Sequence, residues 1–126
     1  MASNLNYDGG LTLAMQVGDL DGALKWYQDV LGFSILYRLD DMGWAELATE
    51  VKGVTVGLSQ VETPKVGAGP VPTFGVKDID AARAKLEARD VRFDGATQVI
   101  PDMVKLATFY DPDGNALMLY QSLATQ

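Results

Sequence analysis

Cysteine and histidine are both absent from this 126-residue chain. Without cysteine there are no disulfides, thiolate nucleophiles or thiolate metal sites. Without histidine there is no imidazole base, no Ser-His pair and no imidazole metal ligand. Catalysis would have to use carboxylates, tyrosines, lysines or backbone groups. A metal would need an all-oxygen site suited to magnesium, calcium or manganese rather than zinc. Clustered positive charge is missing too: 10 basic residues are scattered among 17 acidic ones, for a net charge of −7. Phosphate backbones are held by grouped Lys and Arg, so neither nucleic acid nor an anionic membrane is an expected partner. The apolar runs are only a few residues long, too short to span a bilayer. The opening "MASNLNYDGG" has no basic segment followed by an apolar one, so no secretory signal is visible and the cytoplasm is the default expectation. Those first residues read as an appended segment or a loose arm.

What is present is an apolar share of 48%, ordinary for a globular domain, and one pattern written twice. "VGDLDGALKWYQDVLGF" begins at Val17 and "VKDIDAARAKLEARDVRF" at Val76, which sets Asp19 and Asp78 59 residues apart. "GVTVGLSQ" (53–60) likewise lies over "GNALMLYQ" (114–121). Two copies at this spacing describe two similar modules rather than a solenoid. Each begins with a strand, "LTLAMQV" (11–17) or "VPTFGV" (71–76). Asp19 and Asp78 then stand as helix N-caps, each carboxylate placed to accept from an orphan backbone N–H. Leu20, Ala23, Leu24, Tyr27, Val30 and Leu31 form the apolar stripe of the first helix, with Trp26 on its flank and Gly32 as its C-cap. Ile79, Ala82 and Leu86 repeat the stripe more weakly. Three strands follow each helix: "FSILYRL", "WAELAT" and "VTVGLSQ" in the first module, "RFDGATQVI", "KLATFY" and "ALMLYQ" in the second. Asp111-Pro112-Asp113-Gly114 supplies the last hairpin turn, with Gly114 suited to a positive φ. Pro72 has no N–H to give a ladder and belongs at a strand start or edge.

The expected organisation is a single α+β domain over residues 1–126. Module 1 spans about 10–60, module 2 about 71–121, and the Pro- and Gly-rich segment 61–70 links them. Each module alone is small for an independent core, which favours joint packing or partner exchange in a homodimer.

The doubled βαβββ order, with "DLDGALKWYQDVLGF" after the first strand and "DPDGNALMLY" near the end, resembles the vicinal oxygen chelate superfamily. This is the group of glyoxalases, bleomycin-resistance proteins and extradiol dioxygenases, and the resemblance runs from about Leu11 to Tyr120. It implies two curved mixed sheets that form a cleft, with helices on the convex side. It also implies four metal-ligand positions, commonly His, Gln or Glu, which fall here on Thr12, Gly57, Val71 and Met118. Gly57, Val71 and Met118 offer no side chain for a hard cation, and one threonine hydroxyl does not make a site. The resemblance is therefore to a metal-free branch, with no cofactor expected and the family's metal-dependent glyoxalase and dioxygenase chemistry disfavoured.

Strand alternation lists what would line the cleft instead. Thr12 brings Ala14 and Gln16 to its face, Val71 brings Thr73 and Gly75, and Gly57 brings Thr55 and Ser59. Met118 brings Ala116 and Tyr120. Gly57 and Gly75 remove bulk, and Met118 adds an adaptable surface. Trp44 and Glu46 alternate with Ala45 and Leu47, which suit the helix side. Trp44 is then a stacking plate for a planar or cationic ligand, or else packing in the cleft wall or a dimer interface. Glu46 is the candidate general base, or else a solvated strand carboxylate. The pair Tyr37 and Arg38 could hold one cleft-side residue, with the strand parity there left open. Asp111 and Asp113 read as turn residues, Trp26 and Tyr27 as core, and Met42 and Met103 as gap fillers.

Three functions fit these residues. The first is a binding protein of the bleomycin-resistance type that sequesters an organic, aromatic or antibiotic-like ligand. Its ligand-binding residues would be Thr12, Gln16, Trp44, Glu46, Thr55, Gly57, Val71, Thr73, Met118 and Tyr120. The second is a metal-independent isomerase, lyase or cyclase with Glu46 as proton carrier. The third is a regulatory or partner-binding module with no small ligand.

Overall fold

The computed structural model describes residues 8–67 and 69–124. The opening arm, residues 1–7, lies outside the described residues. The chain divides into two compact units, Met1–Pro64 and Lys65–Gln126, so the division falls inside the Pro- and Gly-rich linker.

The first unit runs β1 (Leu11–Val17), α1 (Leu20–Leu31), β2 (Ser34–Leu39), a single 3₁₀ turn (Asp40–Met42), β3 (Trp44–Ala48) and β4 (Val54–Gln60). The second repeats the order as β5 (Thr73–Gly75), α2 (Ile79–Glu87), β6 (Gln98–Ile100), β7 (Val104–Tyr110) and β8 (Ala116–Ser122). Each unit holds one four-stranded mixed sheet, β1-β4-β3-β2 in the first and β5-β8-β7-β6 in the second. The first strand pairs parallel with the last, and the remaining pairs are antiparallel.

The helix covers one face of each sheet because the strands alternate. In the first unit Val17, Ala45, Leu47, Val56 and Leu58 are buried beneath Leu20, Ala23, Leu24 and Tyr27 of α1. In the second, Ala107, Phe109, Leu117 and Leu119 are buried with Ile79 and Leu86 of α2. Val30, Leu31 and Ala82, at the margins of the two stripes, are half-buried. Tyr27 is wholly buried, with Trp26 edge-on to it at 4.9 Å between ring centres. Gly32 closes α1 at φ 76, donating its N–H to Gln28 O.

The helix starts differ from the sequence expectation in an informative way. Asp78 caps α2 through its carboxylate, which accepts from Ala81 N at 3.1 Å. Asp19 occupies the matching position but makes no side-chain cap bond. Instead, the first helical N–H in both units is met from the last strand. Leu20 N donates to Gln60 Oε1 and Ile79 N donates to Gln121 Oε1, each at 2.8 Å. One glutamine per unit therefore ties the helix start to the sheet.

Two further expectations need correction. "RFDGATQVI" is not one strand. Phe93 makes only a bridge to Phe109, and Gly95, at φ 72, turns the chain before β6. Arg83 from α2 holds that loop, donating to Gly95 O at 2.7 Å and Thr97 Oγ1 at 3.0 Å while lying over the Phe93 ring. Met42 and Met103 do not fill gaps. They sit on turns at the ends of hairpins and are 72% and 60% exposed. Pro72 does stand at an edge, just before β5, where its carbonyl accepts from Met118 N. Asp111 is a buried turn residue whose carboxylate accepts from Asp113 N, Asn115 N and Asn115 Nδ2.

Candidate functional site

Among the described residues, the sheet face opposite the helix in each unit carries no element of that unit, and the sequence-predicted residues sort onto these open faces by strand parity. In the first unit Thr12, Ala14 and Gln16 of β1 stand opposite Thr55, Gly57 and Ser59 of β4. The Thr12 and Thr55 hydroxyls are hydrogen-bonded at 2.8 Å. Glu46 pairs with Gly57 and Trp44 with Ser59, which places both β3 side chains on the same face.

Gly57 does not leave an empty notch. A Cβ there would overlap the six-membered ring of Trp44, so the indole lies across the glycine backbone. Trp44 Nε1 donates to the Tyr37 hydroxyl at 3.2 Å, and that hydroxyl donates to Glu46 Oε1 at 2.9 Å. The result is a short relay of indole, phenol and carboxylate, seated on a glycine.

Alternation alone could not place Tyr37, because β2 is irregular. Ile35 pairs with Leu47 on the helix side, the register shifts across Leu36, and Tyr37 then pairs with Glu46 on the open side. A bulge of this kind changes which face the following residues take. Arg38 consequently points to the helix side. There its guanidinium meets Asp21 of α1 and Asp40, each at 2.9 Å. The hydrogen bond to Asp21 and then the bond and charge of Asp40 raise its pKa further above the usual range, with desolvation opposing them.

In the second unit Thr73 pairs with Met118 and Gly75 with Tyr120. Tyr120 repeats the Trp44 arrangement: a Cβ on Gly75 would come within 2.8 Å of the Tyr120 Cζ. Val71 is exposed two residues before β5, and the Thr73 hydroxyl donates to its carbonyl at 2.9 Å. Thr108 and Leu106 of β7, across from Met118 and Tyr120, extend this face, and the Arg92 guanidinium lies over the Tyr110 ring at 4.7 Å.

Residues 11–119 match the model of the Glyoxalase/Bleomycin resistance protein/Dioxygenase superfamily. The chain belongs to this superfamily. Among solved structures it resembles TnmS3, described as an antibiotic binding protein from Streptomyces sp. CB03234. The TM-score is 0.77 and the identity 26%, over 93% of this chain and 98% of that one. A glyoxalase/bleomycin resistance protein from the same strain has TM-score 0.69 and 26% identity, over 87% of this chain and 97% of that one. The fosfomycin resistance protein FosX of Listeria monocytogenes shares the fold at TM-score 0.77 and 14% identity, over 92% and 94%. No curated protein matches significantly.

The side chains at the four positions that the resemblance assigns to metal ligands do not fit a hard cation. The Thr12 hydroxyl is engaged by Thr55, and Gly57 has no side chain and is roofed by Trp44. Val71 is a hydrocarbon, and the Met118 thioether is a soft donor that magnesium or calcium does not favour. Among the described residues no three carboxylates converge to replace them.

Proposed function

We propose that this superfamily member is a metal-independent binding protein that sequesters an organic, aromatic, antibiotic-like ligand. The observation that carries the reading is the fixed aromatic plate of Trp44. The plate is seated on Gly57 and tied through its N–H to Tyr37. A rigid indole presents a large apolar contact at little entropic cost on binding. The likeness to an antibiotic binding protein at 26% identity supports the same reading.

In this reading the ligand-contacting candidates are Thr12, Gln16, Trp44, Glu46, Thr55 and Gly57 in the first unit, and Val71, Thr73, Met118 and Tyr120 in the second. No cofactor takes part, and the protein works in the cytoplasm as a homodimer. The test is a titration of planar antibiotics and aromatic metabolites against tryptophan fluorescence and melting temperature. Quenching together with a rise in Tm for at least one ligand class is expected, because a ligand that binds only the folded state raises stability. Silence across the panel would remove the reading.

A further inference from the structure

Hydrogen-bond accounting on the open face of the first unit says more about the ligand. Trp44 has one donor, its indole N–H, and Tyr37 takes it. Tyr37 has one donor, its O–H, and Glu46 takes it. Glu46 has no donor when ionised and about four acceptor positions, of which Tyr37 occupies one. Every donor in the cluster is therefore consumed while most of its acceptor capacity remains. A group that only accepts, such as a carboxylate, phosphate or carbonyl, finds no donor within this cluster of three side chains.

The charge is unbalanced as well. Strands β1, β3 and β4 carry no lysine or arginine. The nearby arginine on β2, Arg38, is turned to the opposite face and held by Asp21 and Asp40. Glu46 has no ion pair among the described residues, and it is half-buried beside two aromatic rings. A partly desolvated carboxylate next to an indole and a phenol favours a cation, which gains both the Coulomb attraction and the attraction of the ring faces.

We propose that this face binds the protonated amine or guanidinium of a ligand whose body is aromatic. Glu46 is the counter-ion, Trp44 the plate against the aromatic body, and Tyr37 a positioning residue that orients both. The inference rests on the ligand-binding reading above and names the chemical class of the ligand.

Three matched probes test it: 2-naphthylmethylammonium, 2-naphthylmethanol and 2-naphthoate, titrated calorimetrically into the full chain. The ammonium probe is expected to bind about tenfold or more tightly than the alcohol, with the carboxylate weakest. Glu46→Gln is nearly isosteric and should bring the ammonium down to the alcohol's affinity at unchanged Tm. Tyr37→Phe keeps the charge but frees the Trp44 N–H, so it should narrow the gap between the ammonium and carboxylate probes without closing it.

Equal binding of the ammonium and alcohol probes, or a preference that survives Glu46→Gln, would overturn the inference and leave the binding reading standing. Binding of planar antibiotics without binding of the ammonium probe would do the same. If neither the antibiotic panel nor the probes bind, both fall together.

Discussion

Gly57 lies outside the positive-φ region, so its missing side chain answers a need for space rather than for backbone freedom. The space is taken by the Trp44 ring. Gly57→Ala therefore forces the indole off its seat. Overpacking of this kind costs about 1–3 kcal/mol. Measured in a Trp26→Phe background, so that Trp44 alone reports, the variant should show a shifted emission maximum and a lower urea midpoint. Unchanged emission and stability would contradict the seating of the ring. Tyr120 over Gly75 is the same device in the second unit, with a phenol in place of the indole. Tyr37 was not placed by alternation because one extra residue at Leu36 reverses the parity of the strand, and no residue type in "FSILYRL" announces that bulge.

At the scale of elements, the two helices begin alike but are capped differently. Gln60 and Gln121 each accept the first helical N–H, whereas only Asp78 adds a carboxylate cap. Removing a capping acceptor costs about 1 kcal/mol. Gln60→Ala and Gln121→Ala should therefore destabilise comparably, and Asp78→Ala by a similar amount. Asp19→Ala should cost only about 0.5 kcal/mol, the charge–dipole part. Urea denaturation of the four variants checks the order, and an Asp19 loss equal to that of Asp78 would contradict it. Both glutamines stand at the same place in the repeated pattern, after "VTVGLS" and "ALMLY". The repeat showed that they correspond, but their role depends on a helix some 40 residues earlier in the chain.

For the whole molecule, apolar side chains along both hairpin edges are unusually bare. Ile35, Leu36, Leu39 and Met42 are exposed in the first unit, and Val99, Ile100 and Met103 in the second. Every residue of β2 is exposed, and an uncovered apolar edge strand invites pairing with another chain. The proposed homodimer gives these edges a partner. Sedimentation velocity should find twice the 13.6 kDa chain mass, and Leu36→Glu should shift the population to monomer. A wild-type protein that stays monomeric at high concentration would sink the dimer.

Composition and periodicity determined much of this protein without coordinates. The absence of histidine and cysteine set the available chemistry, and the repeat set the order of strand, helix and three strands. Alternation put Trp44 and Glu46 opposite Ala45 and Leu47, because side-chain direction in a regular strand depends only on local parity. Tertiary structure decided what parity cannot carry: the bulge that turned Tyr37 to the open face, the loop that Arg83 holds in place of a longer β6, and the glutamine caps. It also decided that the glycines are roofed by the protein's own aromatic rings. Each of these depends on contacts between residues distant in sequence, where packing and hydrogen-bond satisfaction choose among conformations that the local sequence leaves nearly equal.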